Sequence, residues 1–513
     1  MSATPPAGLS SPDGGLARRA GAAARWRGLS GVLQGGLQFG VGIVLARLLA
    51  PEDFGLAALA AIVVGLAALL LDLGIGSAVI QRHTLTERHV RAAFGLGLGV
   101  GGLLTALVWV TAPFAAVLLR AEGLAPILRA ESLLFLLSGV GVTARALLQR
   151  RLDFRTLFLV DLVGYGIGYA AIAVTLALLG FGVWSLVIGA ILQSFLANTL
   201  VLARVRHPLR PLVSRPETDE LLRFAWGGAL NGAVNHLAFH GDNLVVGRSL
   251  GTHALGLYAR AFALMMLPLG FVGNALFSIL FPALSELQRD RDRFARAYLT
   301  AVAGLTLAMA PVMAGMAVAA PHLITGLYGE AWTGSVFPFQ VLCAVGLFRV
   351  SAMPAGAVTH ASGQVYAELQ RQMVYAAWVL AASLVGARWG IGGVAIGVAT
   401  AIVYKYVAIV GLSLRIGQLT WREFLEAQAS GIWLGGFVGI VALGVRWAGE
   451  AAHIGSLGIA VLIAAACAAA LPIGIHLLPA RLRPRTLFDH LTHSASPLPA
   501  PVRLSLAWAM RRG

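Results

Sequence analysis

Long apolar runs alternate with short polar segments carrying arginine from about residue 28 to residue 478. A membrane-spanning helix needs about 20 mostly apolar residues, ~30 Å at 1.5 Å per residue. By that rule the pattern predicts about fourteen spanning helices. Their approximate ranges are 28–50, 54–80, 92–119, 124–147, 156–179, 182–203, 221–247, 253–284, 297–320, 335–360, 369–387, 391–414, 430–447 and 455–478. Six spans, a linker, six more spans and a final pair give the expected organisation. It comprises a cytoplasmic segment 1–27, a six-helix bundle 28–203, a cytoplasmic linker 204–220, a second bundle 221–414, two extra spans in 430–478 and a tail 479–513. The linker carries Pro208, Pro211 and Pro216.

Composition agrees with this pattern. Of the 513 residues, 58% are apolar and 12% charged, and the mean hydropathy is +0.81. A soluble chain carries about 25% charged residues, so this one lacks the charge to cover a water-facing surface. Disorder is excluded by the same figures. The first apolar run, about 22 residues, is too long for a signal-peptide core, and no A-x-A site ends it, so it is expected to be a retained first helix.

The net charge of +16 comes from Arg, with Lys405 the single lysine. If the N-terminus is placed in the cytoplasm, 29 of the 38 basic residues fall on that side. The excess alternates loop by loop, as the positive-inside rule requires. Both termini are therefore expected in the cytoplasm of a multi-pass inner-membrane protein. The charge belongs to membrane topology and needs no nucleic-acid partner. Cys343 and Cys467 lie in apolar runs with no metal or disulfide spacing. No P-loop or H-E-x-x-H occurs, so no cofactor, metal or ATP hydrolysis is expected. The glycines of GLGLGVGG (95–102) lie inside an apolar span, where close helix packing explains them. The predicted outer loops are short, which leaves no room for the catalytic outer domain that a membrane glycosyltransferase or polymerase would need.

The two halves repeat at an offset of 201. LARLLAPEDFGLAALA (45–60) aligns with VGRSLGTHALGLYARA (246–261), matching Arg47 to Arg248, Gly55 to Gly256 and Ala60 to Ala261. Six spans per repeat give both halves the same orientation, so their pseudo-two-fold axis should run along the membrane normal.

The stretches ARLLAPEDFGLAALA, DLGIGSAVIQR (72–82), LLQRRLDFR (147–155), GFGVWSLV (180–187), DNLVVGRSLGTHALGLYARAFALMMLPLG (242–270), LFPALSELQRDRDRFARAYL (280–299) and LITGLYGEAW (323–332) resemble one known family. The chain is similar to bacterial O-antigen and exopolysaccharide flippases of the multidrug/oligosaccharidyl-lipid/polysaccharide superfamily, polysaccharide transporter type. The likeness runs from about residue 25 to 426. It implies an all-α fold with two six-helix bundles around a central cavity and two extra C-terminal helices. It also implies a transporter, not an enzyme, that flips a polyprenyl-diphosphate-linked oligosaccharide among membrane lipids. The polysaccharide polymerase and chain-length machinery are the implied protein partners. A multidrug or peptidoglycan-precursor exporter of the same superfamily is the alternative. A drug exporter should prefer carboxylates in its cavity, whereas this chain has more intramembrane Arg than acid.

Several polar residues inside spans are candidate site residues. In the seventh span Asn231, Asn235 and Asp242 fall on one arc at 100° per residue, with His236, His240 and Asn243 beside it. A half-polar spanning helix is costly in lipid, so that arc should face protein or water. Asp242 and His240 are the candidates for ion coupling; interhelical hydrogen bonding is the plainer reading. Arg349 lies about 14 residues into the tenth span, ~20 Å deep. Either it grips the substrate diphosphate or it closes a buried pair with a carboxylate. Arg260 in the eighth span has the same two readings. Asn274 is a possible cavity-lining residue, and Lys405 is either a substrate contact or a snorkelling cation. Arg47 and Arg248, at the outer helix ends, are either substrate contacts or interfacial anchors.

Overall fold

In hydrocarbon a backbone can satisfy its polar groups only as a helix or a closed barrel, and uninterrupted apolar runs rich in Ala, Leu and Gly choose the helix. The computed structural model describes residues 31, 33–71, 75–82, 85–205, 208, 210–212, 226–287, 290–479 and 482. The expected segment 1–27 lies outside the described residues, as does most of the linker 204–220 and of the tail 479–513. Among the described residues every regular element is helical, and the chain is an all-α polytopic membrane protein.

Among the described residues eleven stretches are long and apolar enough to cross a membrane. One of them, Tyr366–Gly417, contains two helices, Val365–Gly386 and Gly390–Gly417, joined by a 3-10 turn at Ala387–Trp389. The 61-residue element Trp226–Glu286 would be ~92 Å long if straight. It is broken at Gly251, whose φ of 88° and ψ of 174° are open to glycine and strained for any residue with a Cβ. With these divisions and the shorter apolar helix α1 (Leu33–Leu48), the described helices are consistent with the expected fourteen spans.

The remaining elements used below are α2 (Pro51–Leu71), α3 (Ile75–Gln81), α4 (Glu87–Leu119), α5 (Leu124–Glu131), α6 (Leu133–Arg150), α7 (Phe154–Val163), α8 (Ile172–Leu178) and α9 (Val183–Val205). Then come α10 (Trp226–Glu286), α11 (Arg291–Tyr328), α12 (Val336–Ala361), α13 (Val365–Gly386), α14 (Gly390–Gly417), α15 (Trp421–Ala451) and α16 (Ser456–Leu477). Helix starts carry their own signals. Asp153 accepts from the Thr156 N–H ahead of α7, Asp290 from the Arg293 N–H ahead of α11, and Thr420 with Glu423 forms a capping box on α15.

The chain divides into two compact units. The first takes 33–45, Val63–Ala115 and Leu124–Gly232; the second takes Ala46–Ile62, Ala116–Gly123 and 233–479. In the first, Ile75 and Val79 of α3, Ala144 and Leu148 of α6, Val160 of α7 and Val201 of α9 form a buried apolar core. Large side chains on the outer side of α4, such as Val110 and Phe114, are 75% and 70% exposed. That is the expected disposition where lipid, not water, is the solvent. In the second unit Leu284, Tyr298, Val302, Val358, Val410 and Phe424 centre the core. The two C-terminal helices α15 and α16 dock on α11, where Leu307, Leu434, Val438 and Ile475 pack together.

Candidate functional site

The second unit collects most of the charged and polar residues expected from the sequence, on α10, α12 and α14. Asp242 is 2% exposed. One of its carboxylate oxygens accepts from the Tyr258 hydroxyl at 2.8 Å, and the other accepts from the Asn243 backbone N–H at 2.9 Å. Tyr258 stands one helical segment further on, past the break at Gly251, and is itself fully buried. The bond therefore ties the two halves of α10 together.

Arg349, in α12, lies over two aromatic faces from α10, with its guanidinium carbon 4.9 Å from the Phe239 ring centre and 5.5 Å from that of Phe262. It is within electrostatic reach of Asp242, Tyr375 and Lys405. Among the described residues no carboxylate lies within salt-bridge distance of it, and its N–H groups make no hydrogen bond. The two rings lie at cation–π distance from the guanidinium, a contact that leaves its five N–H donors available. Of the two sequence readings for Arg349, a closed carboxylate pair is thus not what the structure holds. Lys405, in α14, has its ammonium 4.9 Å from the centre of the Tyr375 ring. His240 sits 4.7 Å from the His236 ring and 5.1 Å from that of Phe239, and His236 bonds the Ile62 carbonyl at 3.0 Å.

Arg260, also in α10, has a different pair of aromatic neighbours. It lies over Phe54 at 4.6 Å and Tyr328 at 5.1 Å. Phe54 and Tyr328 also flank the fully buried Trp332, whose indole N–H donates to the Ala46 carbonyl at 2.8 Å. Asn235 is exposed. The side chains of Asn231 and Asn274 lie outside those described.

The two repeat-related turns meet each other, while their arginines reach other helices. Arg47 bonds the carbonyls of Gly326 and Leu327 at the end of α11, and Arg248 bonds that of Leu118 at the end of α4. Each arginine thus caps the C-terminal carbonyls of a helix, where its charge also complements the helix dipole. A side chain at Gly55 would overlap the Thr252 backbone, and one at Gly256 would overlap the Pro51 backbone. Glu52 and His253, also 201 apart, pair at 2.8 Å. These exchanged contacts are those that a two-fold relation between the repeats would give.

One polar constellation was missed by the sequence reading. In the first unit Arg145 of α6 pairs with Asp161 of α7 at 2.9 Å. The available signal was Asp161 itself, a carboxylate inside an apolar run. Among the described residues no group of three His, Cys, Asp or Glu side chains is placed to hold a metal ion.

Comparison with known proteins agrees with this picture. Residues 44–337 match the family model Polysacc_synt_3, described as polysaccharide biosynthesis protein. The chain is 34% identical over 309 residues to the succinoglycan biosynthesis transport protein ExoT of Rhizobium meliloti, covering 60% of this chain and 62% of that one. It is 29% identical over 305 residues to the teichuronic acid biosynthesis protein TuaB of Bacillus subtilis, covering 58% and 62%. The matched region thus spans 62% of the length of each of these curated relatives. In fold it is similar to the lipid II flippase MurJ in an inward closed conformation, with a TM-score of 0.71 and 13% identity over 88% of this chain and 97% of that one. A membrane-embedded helical chain, matched over more than half its length by one family model, belongs to the polysaccharide biosynthesis protein family.

Proposed function

We propose that this chain flips an undecaprenyl-diphosphate-linked oligosaccharide repeat unit across the bacterial inner membrane, for exopolysaccharide or O-antigen synthesis, without making or breaking a bond. Arg349 is the observation that supports this most. A cation inside a spanning helix costs roughly 2.5–3.5 kcal/mol even on the lenient insertion scales, so its retention needs a use. Among the described residues its N–H groups make no hydrogen bond, and Phe239 and Phe262 lie within cation–π distance of it. That arrangement suits bidentate binding of a diphosphate's oxygens. Lys405 adds a second positive charge within reach. Access to this grip from each leaflet in turn would complete translocation. Asp242, held by Tyr258, and the neighbouring His240 are the groups through which proton or cation movement would couple to that change. Arg260, Asn231, Asn235 and Asn274 are assigned to the same substrate path, and Arg47 and Arg248 to its ends. In this reading both termini lie in the cytoplasm, and the polymer-forming machinery receives the flipped lipid. The cationic grip recognises the diphosphate and leaves the glycan open.

The test is complementation of a flippase-deficient strain, with membrane levels followed by immunoblot. Arg349→Ala should abolish polymer export at a normal protein level. Arg349→Lys should retain part of it, because a point charge still attracts phosphate but loses the fork. Full export by Arg349→Ala would refute the assignment.

A further inference from the structure

The first unit holds a cavity of about 480 Å³ inside the spanning helices, on which the diphosphate reading does not draw. Its polar lining is Ser138 and Arg145 from α6, Asp161 from α7, and Gln193, Ser194 and Asn198 from α9, set among small apolar side chains. The lining is built, not incidental. Arg145 donates to Asp161 at 2.9 Å and to the Asn198 side-chain oxygen at 3.4 Å. The Asn198 amide donates to the Ser194 carbonyl at 2.9 Å and to its hydroxyl at 3.2 Å. Arg145 and Asp161 are nonetheless 31% and 35% exposed. Among the described residues the side chains of Gln193 and Ser138 have no hydrogen-bond partner. Three residues after Asp161 the helix widens into a π-helical stretch, Gly164–Ala171, before continuing as α8. Such π turns are rare and occur frequently at functional sites.

The chemistry of the lining selects a class of ligand. Arg145 and Asp161 cancel each other's charge, so neither an anion nor a cation gains net Coulomb attraction here. One carboxylate with amides and hydroxyls is a poor set for a transition metal. What remains is a mixture of donors and acceptors: guanidinium and amide N–H groups beside carboxylate, amide and hydroxyl oxygens. A sugar ring presents hydroxyls that donate and accept at once. The volume lies within the roughly 300–1,000 Å³ of small-ligand sites. We infer that this cavity binds a neutral sugar ring, the glycan part of the transported lipid. This rests on the flippase reading for the source of the sugar, though not for the sugar chemistry itself.

The test uses the full chain in lipid nanodiscs, carrying Ser138→Cys with Cys343→Ala and Cys467→Ala. Alkylation of the new thiol by a maleimide is timed during a titration with methyl β-glucoside and with sucrose. At twice its Kd a sugar should slow labelling about threefold, as 1 + [L]/Kd. Inorganic pyrophosphate and tetraethylammonium at matched ionic strength should leave the rate unchanged. No slowing by either sugar, or equal slowing by pyrophosphate, would overturn the inference. A second variant, Gln193→Trp, fills the cavity and leaves the Arg145–Asp161 pair in place. In the export assay it should lower polymer output at a normal membrane level. Undiminished output together with sugar protection would assign the site to a free sugar and contradict the link to the transported glycan. Failure here is separable from failure of the flippase reading: loss of export in Arg349→Ala without sugar protection defeats the cavity alone.

Discussion

Tyr258→Phe removes a single oxygen from a fully buried ring and leaves the packing of that ring intact. In the native chain that oxygen donates to Asp242 at 2.8 Å. After substitution the carboxylate keeps the Asn243 N–H and loses its other donor. Neutral hydrogen bonds in membrane proteins contribute about 0.6 kcal/mol on average. Bonds to charged groups contribute about 1.5–3 kcal/mol, and a buried acceptor left unmet adds to the loss. With Tyr258 at 0% and Asp242 at 2% exposure, water cannot replace the donor. The expected loss is therefore about 2 kcal/mol, ~30-fold in the unfolding equilibrium. The assay is reversible unfolding in mixed micelles, followed by tryptophan fluorescence, for Tyr258→Phe, Asp242→Asn and the double variant. The cycle should show a coupling of about 1 kcal/mol or more. A loss under about 0.5 kcal/mol with additive single effects would refute the reasoning, and with it the view that this bond braces α10 across Gly251.

Three further outcomes follow from other contacts. Trp332→Ala should destabilise by about 3–5 kcal/mol, as for other buried large aromatics, and Trp332→Phe by about 1–2 kcal/mol through the lost bond to Ala46. The same micelle unfolding assay reads both. Cysteines at Glu52 and His253, which pair at 2.8 Å in the native chain, should cross-link with a short bis-maleimide. If these turns separate during transport, the cross-link blocks polymer export, and normal export by cross-linked protein would exclude that separation. A periplasm-active reporter fused to the C-terminus should give no signal, and strong activity would overturn the topology.

The spans were legible because hydrocarbon imposes one rule on every stretch that crosses it. The rule sees composition, which is why Ala387–Trp389 and Gly251 separate helices where apolar runs had already been divided. The repeat was legible through Arg47 and Arg248, and the Glu52–His253 pair at the same spacing is its structural counterpart. Arg349 and Arg260 stood out by the cost of charge in lipid. Their aromatic partners did not, because Phe239 and Phe262 come from α10 while Arg349 comes from α12. Which face meets which depends on the phase of two helices about one another, and one helix's periodicity does not carry that. The same gap hid Arg145, which reads as one of the basic residues flanking a span until Asp161 is brought beside it. Asn235 shared an arc with Asp242 by angle, yet the structure leaves it exposed and buries Asp242. Angle fixes the side of a helix, not the depth of the groove it faces.

The central claim is that an intramembrane guanidinium holds the diphosphate during translocation. Reconstitution into proteoliposomes with a fluorescent polyprenyl-diphosphate oligosaccharide measures this directly, with outer-leaflet label quenched over time. Losing a charge-assisted anchor of about 1.5–3 kcal/mol should slow flipping ~10- to 150-fold in Arg349→Ala. Arg349→Lys should fall between that variant and the wild type. Flipping by Arg349→Ala at the wild-type rate, at equal protein per vesicle, would contradict the account.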